Sequence, residues 1–141
     1  MPMKDDHPAH LRQILSPVTD VTDADGDLPS LTSDEYQPFA RAANKPLFSV
    51  HFLTAKGEMR SFQYLHLDSG STFTGDAIAI RFLGMQPINV RVTGRNLRRL
   101  YDYLHQHRVS WVLAVAPGRD FAKDGQPVIT AIEFSEERLA L

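Results

Sequence analysis

The stretch that decides the fold is Arg91 to Arg108, RVTGRNLRRLYDYLHQHR, because hydrophobic alternation gives way there to helical spacing. Upstream of it, PINVRVTG places Ile88, Val90 and Val92 on one side and Arg91 on the other, the mark of a half-buried strand. Downstream, Leu97, Leu100, Tyr101 and Leu104 recur at the spacing of one helix face. Gly94 lets the chain turn out of the strand. Asn96 is a natural N-cap, so the helix is predicted to begin at Leu97. A strand feeding a helix is thus the centre of the fold.

Working outward, the preceding segment DAIAIRFLG points Ile78, Ile80 and Phe82 inward and Arg81 outward, and a turn over Gly84 to Pro87 joins it to the next strand. Before that, Phe48, Val50 and Phe52 alternate, and Phe62 and Tyr64 resume the pattern after TAKGE. A three-residue loop Ala55–Gly57, with Gly57 left-handed, sets Val50 opposite Phe62 and Phe48 opposite Tyr64, with all five large side chains on one face. After the helix, RVSWVLAVA fits either an extension of the helix's apolar stripe through Trp111, Val112 and Val115 or, by its density of β-branched residues, a strand, and the strand is the preferred reading. VITAIEF is a closing strand with Val128, Ile132 and Phe134 inward. The expected class is α+β: a mainly antiparallel sheet of five to six strands, built from two hairpins, then the helix, then one or two strands. The helix covers one face of that sheet. One helix is narrow cover for so many strands.

The first 45 residues differ in kind. SPVTDVTDADGDLPSLTSDEYQP has no sustained apolar period, so residues 1–45 are expected to be an acidic, largely disordered leader and residues 46–141 a single α+β domain. On that reading, residues 1–44 are dispensable for folding. The leader holds eight acids against four bases, whereas residues 46–108 hold eight bases against four acids. The formal net charge of −2 therefore hides an acidic leader joined to a basic middle. No apolar run is long enough to span a membrane and no signal-like h-region opens the chain, which with the lack of cysteine points to a cytoplasmic protein.

The motifs that carry chemistry are missing key parts. DVTDADGDLPSLT resembles a calcium loop only in its centre, since Val21 and Thr32 stand where the first and last oxygen ligands are needed. Gly70 and Gly75 have phosphate-loop spacing, but Asp76 replaces the lysine and would repel phosphate. His7, His10, His51, His66, His105 and His107 show no converging metal-ligand spacing; His51 faces Ser61 across the hairpin. There is no G-x-S-x-G elbow and no cysteine nucleophile. The carboxylates Glu58, Asp68, Asp76, Asp102, Asp120, Asp124 and Glu133 fall mostly in turns. No cofactor, metal or catalytic residue is expected.

The opening stretch holds five of the eleven arginines. Arg98 and Arg99 would occupy the first helical turn, where the helix dipole disfavours cations. Arg95 and Arg99 form a like-charge pair four apart. The candidate anion- or partner-binding residues are therefore Arg91, Arg95, Asn96, Arg98, Arg99 and Tyr103, with an acidic partner or the leader's own acids as occupant. The function expected first is a non-enzymatic interaction module, engaging a protein partner or a second copy of itself. Anion or nucleic-acid binding through the helix start comes second, with Arg81 extending the basic stripe and Tyr103 stacking on a base. An enzyme with a dispersed active site comes third.

Overall fold

The computed structural model describes residues 36–116 and 125–137. The acidic leader through residue 35, the calcium-like loop and the segment 117–124 lie outside the described residues.

The first hairpin forms as its alternation dictates. Strands β2 (Ser49–Leu53) and β3 (Met59–Gln63) pair antiparallel, with Val50 opposite Phe62 and His51 opposite Ser61. The loop closes through Thr54 N–H to the Glu58 carbonyl at 2.8 Å, and Gly57 takes φ +94°. Val50, Phe52 and Tyr64 are buried, but Phe48 is 92% exposed. It precedes the first regular strand residue, so alternation no longer fixes its side. The second hairpin joins β5 (Ala77–Phe82) to β6 (Ile88–Arg95), pairing Ile78 with Val92 and Ile80 with Val90, all four buried.

These hairpins belong to two sheets, not to one sheet of five or six strands. Strand β1 (Phe39–Arg41) and β7 (Val109–Leu113) join the first hairpin in the order β1-β7-β2-β3, and β2 and β7 run parallel. The short β4 (Thr72–Phe73) and the long β8 (Val128–Glu136) flank the second hairpin in the order β4-β5-β6-β8, antiparallel throughout. Every residue of β7 is buried, which suits a strand with neighbours on both edges. The folded part also starts before residue 46. Phe39–Arg41 is hydrogen-bonded to β7, and Ala40 and Ala42 are buried.

The sheets cover each other, which answers the shortage of helical cover. Phe62 stacks on Phe82 with centroids 4.6 Å apart, and Phe52 lies 6.2 Å from Phe82 and 6.3 Å from Phe134. The helix α1 (Arg98–His105) adds Leu100 and Leu104 to this core, and Leu97 enters it just before the helix starts. Each such fully buried aliphatic contributes about 1.5–3 kcal/mol relative to exposure. A second, small cluster of Ala40, Leu53, Trp111 and Leu113 lies apart from the main core, with Tyr36 packed against it.

Both ends of α1 depend on residues with positive φ. Asn96 is not the N-cap. It adopts φ +59°, a conformation that asparagine tolerates better than most residues, and its side-chain amide donates to the Gln126 carbonyl at 2.9 Å. Leu97 takes the cap position without any side-chain cap, so the helix begins at Arg98. At the other end His107, also at φ +59°, closes a Schellman motif: its N–H reaches the Leu104 carbonyl and the Arg108 N–H reaches that of Tyr103, both at 3.0 Å. Glycine is usual there. Here the imidazole is used instead, stacking on Tyr64 with centroids 4.7 Å apart.

Gly94 serves close approach, not a sharp turn. A Cβ at this position would stand 1.9 Å from the Val128 carbonyl oxygen and 2.9 Å from Ile129 Cα. The β6–β8 register shifts at this point, between Thr93 and Gly94. That shift changes the phase of the closing strand, so Ile129 is fully buried beside Val128 and joins Ile132 in the main core.

Candidate functional site

The strand-to-helix turn does gather Arg95, Asn96, Arg98 and Arg99, but it holds less free charge than its composition implies. Arg98 Nε lies 3.2 Å from Asp102 one turn on, an exposed i,i+4 pair worth a few tenths of a kcal/mol. Arg95 is also engaged, and the Asn96 side chain is committed to Gln126. Arg99 is exposed.

Tyr103 and Arg91 lie elsewhere. Tyr103 is half-buried beside Phe39, and the Arg41 and Arg108 guanidinium carbons stand 4.9 and 5.0 Å from its ring centroid. Arg108 is held further by the carbonyls of Ala42 and Ala43. The tyrosine thus fastens the β1 segment to the helix and is not an open stacking platform. Arg91 projects from the middle of β6 onto the outer face of the second sheet, where sequence alternation also placed Arg81.

That outer face is a shallow trough of about 690 Å³. Across it, Ala79, Arg91 and Glu133 stand in one register row and Arg81, Asn89 and Ser135 in the next, with Thr72 opposite Ala79 on β4. Arg81 is tied by Glu137 at 2.8 Å and Asp68 at 3.2 Å, and its Nε is buried without a hydrogen-bond partner. In contrast, the side chains of Thr72, Asn89, Arg91, Glu133 and Ser135 make no hydrogen bond or ion pair in the described structure. The sequence marked Arg81 and Arg91 as outward. It could not bring Glu133 and Ser135 beside them, because that depends on the long-range β6–β8 pairing.

A different surface is apolar. Phe48, Leu65 and Met85 are 92%, 85% and 100% exposed, and Leu83 is 42% exposed. Main-chain bonds link the segments that carry Phe48, Leu65 and Leu83: Tyr64 N–H donates to the Phe48 carbonyl, and Leu83 N–H to the His66 carbonyl. Leu65 lies between those two links, and Met85 follows in the β5–β6 turn. Alternation assigns Phe48 to the core, but it stands just outside β2, where alternation no longer fixes its side.

Two serine–histidine pairs are hydrogen-bonded at 2.6 Å, His51 with Ser61 and His105 with Ser71. Among the described residues neither histidine has a carboxylate bonded to its other ring nitrogen, and both pairs lie at the surface, so the orienting third group of a hydrolytic triad is lacking. No cluster of metal-ligating side chains and no helix long and apolar enough to cross a membrane occurs among the described residues. No family model, curated protein or solved structure matches the chain.

Proposed function

We propose that this chain is a non-enzymatic association module whose docking surface is the apolar strip Phe48–Leu65–Leu83–Met85, and that it engages a second copy of itself. The observation that carries this reading is the nearly complete exposure of three large apolar side chains within one tethered region. Leaving such side chains in water forfeits about 1.5–3 kcal/mol each, and contiguous exposed apolar patches mark association surfaces. A strip brought together by two backbone links is pre-organised, so little entropy is lost on docking. The nucleic-acid reading is weaker. The outward residues of the second sheet offer no aromatic platform, and Tyr103 is already packed.

Sedimentation velocity over a wide concentration range tests the proposal. The wild-type chain should sediment faster as concentration rises, whereas Phe48→Ser/Leu65→Ser should remain monomeric with its thermal midpoint unchanged. A wild-type chain that stays monomeric throughout would overturn self-association.

A further inference from the structure

We propose that the trough on the outer face of β4-β5-β6-β8 binds a small zwitterion of the α-amino acid class, with its carboxylate on Arg91 and its ammonium on Glu133. This site is independent of the apolar strip. Arg91 and Glu133 are direct cross-strand neighbours and both are exposed, yet they make no ion pair with each other. Their main chains are held about 4.5–5.5 Å apart by the ladder. A cation and an anion on neighbouring strands, neither spent on the other, can be bridged by a ligand that carries both charges.

The neighbouring positions sharpen the class. Arg81 is already neutralised by Asp68 and Glu137, so it does not compete for the ligand's carboxylate. Instead its two carboxylate links brace the trough beside Asn89. The free amide of Asn89 and hydroxyls of Ser135 and Thr72 supply hydrogen-bond donors and acceptors on the same face. A simple anion would leave Glu133 repelling it; a simple cation would leave Arg91 doing the same. Only a ligand carrying both charges uses both residues. The volume of about 690 Å³ exceeds a single amino acid and would admit a side chain or a short peptide bearing the same two termini.

The test is an amide-shift titration of the full chain with glycine, glutamine, triglycine, acetate and methylammonium at constant ionic strength. Glycine or glutamine should give saturable shifts at residues 79–81, 89–91 and 133–135, with acetate and methylammonium weaker by about tenfold or more. Arg91→Ala and Glu133→Gln should each weaken zwitterion binding by about tenfold or more, while Arg99→Ala on the helix leaves it unchanged. Triglycine binding as tightly as glycine would assign the site to peptides; weaker triglycine binding would assign it to free amino acids. Absence of saturable shifts with every zwitterion overturns the proposal. So does acetate binding as tightly as glycine, with Glu133→Gln neutral or improving, which would make this a plain anion surface.

Discussion

At the scale of single residues, Tyr64 and Gly94 each hold two elements together by chemistry that no substitute reproduces. The Tyr64 hydroxyl donates to the Val109 carbonyl at 2.7 Å and accepts from the Val109 N–H at 3.1 Å, deep between the first hairpin and β7. Tyr64→Phe should cost about 1–3 kcal/mol, since it strands two buried backbone groups. Burial pushes the Tyr64 phenol well above its usual value, outweighing the hydrogen bond to Val109 that favours ionisation. The neutral form is therefore favoured by folding. Its contribution is complete below the ordinary tyrosine pKa of about 10 and fades as pH rises above it. Denaturant midpoints measured on the alkaline side should fall more steeply for the wild type than for Tyr64→Phe; parallel slopes would show that Tyr64 is solvated. Gly94→Ala tests the other contact. The nearest obstacles are backbone atoms of β8, which cannot rotate away. Its destabilisation should therefore exceed the ~1 kcal/mol of a typical substitution by several-fold, read as a lowered denaturant midpoint.

At the scale of elements, α1 is the only α-helix among the described residues, and its apolar stripe faces the shared core. Leu104 is buried to 1% exposure, and Leu104→Ala should cost about 2–5 kcal/mol by chemical denaturation. A cost below about 1 kcal/mol would place the helix at the periphery. This stripe was legible in the sequence because its period is local. So were the Ala55–Gly57 loop and the inward faces of β2, β5 and β6, which depend on nearest-neighbour alternation and one left-handed glycine. The helix start was not. The Asn96 side chain is drawn to Gln126, thirty residues away, in preference to capping the helix beside it. The closing strand shows the same limit: a bulge opposite Gly94 shifts its phase, and no local pattern announces a bulge.

At the scale of the whole molecule, alternation reveals which side chains face inward but not which sheet a strand joins. β7 slots between β1 and β2 and runs parallel to β2 across more than fifty intervening residues, and the two hairpins fall in separate sheets in place of the one expected. The division creates both candidate surfaces. The inner faces close on the phenylalanine cluster, leaving the outer face of the second sheet as the polar trough. The junction near Tyr64 and the β5–β6 turn expose Phe48, Leu65, Leu83 and Met85. In the arginine-rich turn that dominates the sequence, Arg98 is paired with Asp102 and Arg95 is engaged, and Tyr103 is packed elsewhere. The proposed association through the apolar strip can be read from backbone amide shifts of the isotope-labelled chain, followed as its concentration is raised. The predicted result is concentration-dependent shifts clustered at residues 48, 64–66 and 83–86, with the trough and the helix start unmoved. Shifts centred on residues 94–99, or none anywhere, would contradict it.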